Sequence, residues 1–268
     1  MRLDLLDERN GPRFDCGSGP PSRTLIIAST PRCGSTMFCR TLWETGCVGA
    51  PKEYFNPTQR RDWNVRQAKG GGRRVVYAMF RGPATGLLGG MPWSDRGLRA
   101  FTHGVQTHRT GSNGWFSTKI HWHHFRRTFV RPGRQPSAVF GPVAWVHMVR
   151  EDRVAQAVSW ARAVQTGRWA ARQAEQRTPV YSRRLIGTML RRIEEAEAGW
   201  SGWFASQDIE PVRVRYASYV EAHEAETLRV LNELGVKAPI DGIPALPTQV
   251  QRDEVNVRWC EQYRAAMP

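Results

Sequence analysis

The period of the apolar positions changes several times along the chain, and each change predicts an element. Thr24–Ala28 (Thr-Leu-Ile-Ile-Ala) is a short continuous apolar run, the pattern of a strand buried on both faces of a parallel sheet. It leads directly into Ser29-Thr30-Pro31-Arg32-Cys33-Gly34-Ser35-Thr36. After that loop, Phe38, Cys39, Leu42 and Trp43 recur at helical spacing, and Gly46 offers a stop. Trp115–Trp122 alternates and predicts a strand, and the apolar run Val143–Val149 predicts another. A helix should start at Asp152 and extend to about Thr166. Arg183–Trp203 reads as a second amphipathic helix, Val212–Tyr216 as a last strand, and Ala222–Leu234, stopped by Gly235, as a final helix. Strand, tight loop and helix in that order open an α/β nucleotide-binding fold, and the continued alternation predicts a mainly parallel sheet covered on both faces.

Residues 1–22 are polar and rich in Gly and Pro, and read as an irregular leader outside the core. Residues 23–268 read as one domain. Within it, the stretch 70–114 carries turn signals at Gly70–Gly72, Gly89-Gly90 and Ser112-Asn113-Gly114, and reads as an insertion or acceptor-side region. The surroundings, from about Thr58, have room for one or two helices.

Composition changes this picture mainly through charge. Lys and Arg number 39 against 24 Asp and Glu, and the excess is concentrated. Lys119–Arg192 holds 15 basic residues and only three acids, Glu151, Asp152 and Glu175. Such a field attracts nucleic acid, an anionic membrane or a multiply phosphorylated small ligand, although a solvated Arg-rich surface gives the same count. There is no helix-turn-helix, RNA-recognition or zinc-finger signature to support a nucleic-acid partner. Five cysteines, none in a Cys-x-x-Cys pair, argue against a disulfide framework or a zinc ribbon. Acids at Asp4, Asp7 and Glu8 argue against a secretory signal, and no apolar run approaches the roughly 18 residues of a membrane span. The expectation is a soluble cytoplasmic protein.

The loop Pro31–Thr36 carries the chemistry. A helix N-terminus presents unpaired backbone N–H groups and partial positive charge, so it holds phosphate readily. Gly34 lets backbone approach a ligand, Ser35 and Thr36 add hydroxyls, and Arg32 adds a cationic fork. A Walker A loop would need Gly at 29 and Lys at 35, where Ser29 and Ser35 stand, so an ATPase or GTPase is disfavoured. An ordinary strand–helix turn capped by Ser35 is the plain alternative. A second element, Arg150 at a strand end with Ser159 two turns into the next helix, can hold a second phosphate, although Arg–Asp pairs at helix starts are usually structural.

Several segments, in order, resemble one family. They are Thr30–Thr36, Gly49-Ala-Pro-Lys-Glu-Tyr-Phe55, Lys119-Ile-His-Trp122, Arg150–Ser159 and Arg162-Ala-Val-Gln-Thr-Gly-Arg-Trp169, with Gln251-Arg-Asp253 and Trp259 near the C-terminus. Together they resemble the bacterial PAPS-dependent sulfotransferases typified by mycobacterial trehalose sulfotransferase, also called lipopolysaccharide sulfotransferases (PAPS is 3′-phosphoadenosine 5′-phosphosulfate). The resemblance implies a P-loop-like three-layer sandwich and transfer of a sulfuryl group from PAPS to a hydroxyl of a carbohydrate, glycolipid or related acceptor, releasing PAP. It implies that Arg32, Cys33, Gly34, Ser35 and Thr36 hold the 5′-phosphosulfate, that Arg150 and Ser159 hold the 3′-phosphate, and that Glu53 is the general base. His121 is the rival base, and Lys119 is a candidate contact to sulfate or acceptor. Family members are described as dimers, so a homodimer is allowed. An acid expected after Tyr216 is replaced by Ala217.

No metal is expected. His121, His123 and His124 invite a metal, but on a continuing strand the third would oppose the other two, with no nearby carboxylate to complete a site. Cys33 stands at a helix start, where thiolates are favoured, but lacks an identifiable base partner, so packing is the stronger reading. Two readings compete with the sulfotransferase: a non-catalytic nucleotide-binding protein, and a kinase-like phosphoryl transferase.

Overall fold

The structure is a computed structural model that describes residues 5–17, 19–68, 93–169, 174–246 and 253–267. Its strands are β1 (Arg23–Ser29), β2 (Trp115–His121), β3 (Val143–Val149) and β4 (Val212–Arg215). The principal helices are α1 (Ser35–Glu44), α2 (Pro57–Ala68), α3 (Asp95–Arg109), α4 (Arg153–Thr166), α5 (Arg183–Ser206), α6 (Tyr216–Glu221), α7 (His223–Glu233) and α8 (Glu254–Ala265). The strands form one sheet in the order β2-β1-β3-β4. β3 and β4 run parallel, with Val146 opposite Val212 and Val149 opposite Arg215. Every residue of β2 and all but the first of β1 are buried; burial on both faces suits the apolar run of β1, whereas β2 also buries Lys119 and His121. The α/β class with a mainly parallel sheet flanked by helices is therefore what the chain adopts.

Helix boundaries follow local side-chain chemistry. Asp152, Ser182 and Asp253 each accept a hydrogen bond from a backbone N–H in the first turn of α4, α5 and α8, and so satisfy donors that have no partner within the helix. Gly167 ends α4 in the left-handed conformation that glycine adopts without strain. The last strand stops at Arg215 rather than Tyr216, because Tyr216 opens α6. The expected helix Ala222–Leu234 is α7, preceded by that extra turn. The C-terminal helix α8 was not foreseen. The turn signals at Gly70–Gly72 and Gly89-Gly90, and residues Gln251 and Arg252, lie outside the described residues.

The chain divides into two compact units, Met1–Ile27 with Leu42–Trp145 and Ala28–Thr41 with Val146–Pro268. The first has an aromatic core in which Phe55 packs edge-on against Phe101 and Phe140, and Tyr54 against Trp63. Residues 1–22 were expected outside it. The structure instead buries Asn10 completely and ties the segment down: the Asp62 carboxylate accepts the backbone N–H groups of Leu6 and Asp7. A sequence scan missed this because the contacts are polar and made by residues some fifty positions apart. The second unit packs α4, α5 and α8 around Ala157, Val158, Ala161, Ile186, Met189, Ile193, Trp259 and Tyr263. No helix among the described residues is long and apolar enough to cross a membrane.

Candidate functional site

In the second unit, the loop from β1 to α1 is held in a conformation that few sequences allow. Arg32 has φ 66°, a left-handed backbone that costs a non-glycine residue about 1–3 kcal/mol. Three hydrogen bonds fix it there. Arg32 Nε donates to Ser159 Oγ at 3.0 Å, Arg32 Nη1 donates to the Trp169 carbonyl at 2.6 Å, and the Arg32 carbonyl accepts from Arg150 Nη1 at 3.3 Å. Gly34 has φ 93°, and a Cβ there would stand 2.8 Å from Tyr216 Cε2 and 3.1 Å from Met148 Cε. Only glycine fits that turn.

The backbone before the turn is equally constrained. Gln156 Nε2 donates to Thr30 Oγ1 at 2.8 Å and to the Pro31 carbonyl at 2.7 Å. Thr30 in turn donates to Glu197 Oε1 at 3.1 Å, and Trp200 Nε1 donates to the Ser29 carbonyl at 3.1 Å. Ser35 and Thr36 open α1, whose first N–H groups lie beyond the reach of the i−4 ladder. The Cys33 side chain is fully buried, and that burial pushes its thiol pKa up.

Cations gather around this loop. Burial pushes the Arg32 guanidinium below its ordinary value, and Arg150, Arg168 and Arg162 push it further in the same direction. Arg150 packs its guanidinium carbon 4.5 Å from the Tyr216 ring centroid, and its buried Nε has no hydrogen-bond partner. Arg162 is already forked onto Asp253, at 2.6 and 2.7 Å, and reaches Glu175 at 3.2 Å. Like charges crowded into a partly dry place are offset by an anion. The sequence treated Arg32 and the Arg150–Ser159 element as two phosphate sites; the structure joins them through Arg32. Tyr216, Gln156 and the Trp169 carbonyl were missed as parts of this loop, and only the position of Tyr216 at a strand end gave a hint.

In the first unit, a different constellation forms around Glu53. Lys119 Nζ is 2.6 Å and His121 Nε2 3.2 Å from Glu53 Oε1, and Asn56 Nδ2 donates to Glu53 Oε2 at 3.0 Å. Burial pushes this carboxyl up, but Lys119 and His121 outweigh it and hold it well below the usual carboxylate range. The three residues come together because the Lys52 carbonyl accepts the Lys119 N–H at 2.9 Å, a parallel bridge that lays the chain before Glu53 along β2.

The histidine geometry departs from the expectation. β2 ends at His121 and a helical turn follows over Trp122–Phe125, so the rings of His123 and His124 stand 3.9 Å apart instead of on opposite faces. A carboxylate does approach His121, namely Glu53. Among the described residues, no group of three or more His, Cys, Asp or Glu side chains is arranged to hold a metal ion.

A strand–loop–helix with a turn only glycine fits, bordered by the guanidinium groups of Arg32 and Arg150, opens this α/β fold. The chain belongs to the Stf0 sulphotransferase family, which matches residues 24–266, and it is a sulfotransferase. It is 28% identical over 263 residues to the trehalose 2-sulfotransferase of Mycobacterium tuberculosis (strain Erdman), covering 92% of this chain and 96% of that one. It is also 28% identical over 269 residues to the trehalose 2-sulfotransferase of Mycolicibacterium smegmatis, with the same coverage. Among solved structures, the sulfotransferase domain of the Synechococcus PCC 7002 olefin synthase aligns with a TM-score of 0.44 at 12% identity, covering 93% of this chain and 97% of that domain.

Proposed function

We propose that the protein transfers the sulfuryl group of PAPS to a hydroxyl of a sugar-containing acceptor and releases PAP. The observation that carries the donor assignment is the Arg32 loop, in which a strained backbone is maintained among crowded guanidinium groups. The residues fit such a donor. The Cβ-free turn at Gly34 and the start of α1 suit its 5′ anionic groups, and Arg150, with a buried Nε lacking a partner, together with Ser159 suits its 3′-phosphate. The acceptor class is supported by the trehalose 2-sulfotransferases, which the chain matches over nearly their whole length.

PAPS, when bound, supplies the sulfuryl group and a phosphate leaving group. The chain's own task is placement and charge stabilisation, by analogy with phosphoryl transfer. Arg32 and the first amides of α1 offset charge that grows on the departing phosphate. Glu53 takes the acceptor's hydroxyl proton. Its low pKa is compatible with this role, because a hydroxyl becomes strongly acidic once its oxygen begins to bond to sulfur, so a weak base suffices late in the transfer. His121 Nε2 is directed at Glu53, so we assign His121 and Lys119 to holding Glu53 ionised and oriented. The five cysteines are free thiols, the state a reducing compartment maintains, and we take the setting to be cytoplasmic.

The test is incubation with sulfur-labelled PAPS, a chelator, and trehalose or other carbohydrate and glycolipid acceptors. Labelled product with stoichiometric PAP is expected. PAP binding without product across the panel, or magnesium-dependent consumption of ATP in its place, would contradict the reading.

A further inference from the structure

The first unit contains a buried ion pair that the reaction as described does not use. Lys52, adjacent to Glu53, is buried, and its Nζ donates to Asp7 Oδ2 at 2.9 Å and to Asn10 Oδ1 at 2.8 Å. The partners come from the N-terminal segment and are themselves fixed. Asp7 and Leu6 hang by their N–H groups from Asp62, at 2.9 and 3.0 Å, and Asn10 Nδ2 bonds Gln59 and Asp62 at 3.0 and 2.9 Å. The fully buried Arg109 donates to the carbonyls of Arg9, Gly11 and Phe14. On its other side, residue 52 is fastened to β2, because its carbonyl accepts the Lys119 N–H at 2.9 Å and Thr118 Oγ1 at 3.1 Å.

We propose that Asp7 and Lys52 are positioning residues for Glu53, and that the N-terminal segment thereby sets the turnover rate. This rests on the reading of Glu53 as the base. Residue 52 is clamped through its carbonyl to the strand that carries Lys119 and His121, and through its side chain to Asp7, so the next residue has little freedom in where its carboxylate lies. Anchoring a leader needs no ion pair here, since replacing both partners of a buried pair with well-packed apolar side chains is often neutral or stabilising. A charge-dependent clamp needs one.

The groups facing Lys52 are Asp7, Arg9 and Arg109, with Asp62 one residue removed through Asn10. Burial lowers Lys52 to about 8, Asp7 opposes that fall, and Arg9 and Arg109 add to it. Turnover should therefore fall as pH rises through about 8, when Lys52 sheds its proton and releases Asp7. Arginine stays charged throughout that range.

The experiment measures kcat, PAP affinity and melting temperature for Asp7→Asn, Lys52→Met, Lys52→Arg, Glu53→Gln and the Asp7→Asn/Glu53→Gln double variant. Asp7→Asn and Lys52→Met should lose roughly tenfold to a hundredfold in kcat, the scale of a small misplacement, with PAP affinity unchanged. Lys52→Arg should keep most of the rate and move the alkaline limb upward. In the Glu53→Gln background, Asp7→Asn should add no further loss, because the two act through one group. If Lys52→Met does not fold, Asp7→Asn and Lys52→Arg decide. A normal kcat for Asp7→Asn, or losses that multiply in the double variant while Glu53→Gln alone is slow, overturns this inference and leaves the base assignment standing. A wild-type rate for Glu53→Gln overturns both.

Discussion

The Lys119 ammonium lies 2.6 Å from Glu53 Oε1, in a place where the lysine is almost wholly buried. This contact keeps the carboxylate ionised despite burial that acts against it. A carboxyl whose folded pKa is depressed contributes stability that is present above its unfolded value and lost as pH falls through the folded one. For Glu53, kcat/KM should stay flat as pH falls through the ordinary carboxylate range near about 4.3. Lys119→Met should move an acid limb upward into or above that range and destabilise the fold by about 3–5 kcal/mol, as breaking a buried pair does. A pH–rate profile and a denaturant titration check both. An unmoved limb would separate Lys119 from Glu53.

Arg150→Ala should weaken PAP binding. Calorimetric titration reads this directly. Unaltered affinity would remove Arg150 from the donor site.

Gly34→Ala is expected to be severe for its size. The added Cβ meets the Tyr216 ring, and φ 93° is unfavourable to any L side chain. A loss of about 1–3 kcal/mol from the backbone alone, with further cost from the clash, is expected in a denaturant titration. Adding Tyr216→Ala should recover part of the stability, since it removes the ring but not the strain.

Asp62→Ala should release the N-terminal segment. The fully buried carboxylate accepts from the backbone of Leu6 and Asp7 and from Asn10 Nδ2, and each donor left buried without a partner costs about 1–3 kcal/mol. Limited proteolysis should cut within the first fifteen or so residues of the variant at a rate at which the native protein is resistant. Equal resistance would show that other contacts suffice.

How far the sequence could be read differs between the two constellations. The Arg32 loop was legible because an apolar strand, a glycine turn and a helix start are local signals, all within Thr24–Trp43. Its support was not: Gln156, Trp169 and Tyr216 reach the loop from more than 120 residues away, and although the first two lie in segments that resemble the family, nothing local shows that they contact the loop. Glu53 entered through family resemblance alone, and its partners Lys119 and His121 were candidates without a stated geometry. The N-terminal segment was misread because glycine, proline and charge have the composition of a solvated leader. What orders it is a set of buried polar contacts to Lys52, Asp62 and Arg109, which leave no periodic trace. The histidines were misjudged for a related reason, since alternation on paper continues past His121 while the strand does not.

We propose that the loop around Arg32 holds a 3′,5′-phosphorylated adenosine donor and that no metal takes part. The most direct measurement is a thermal-shift titration with PAP in the presence of a chelator, with AMP and ATP plus magnesium as controls. At about 100 times its dissociation constant, PAP should stabilise the fold by roughly 2.7 kcal/mol, and the controls should do far less. No shift with PAP, or an equal shift with ATP and magnesium, would contradict this assignment of the loop.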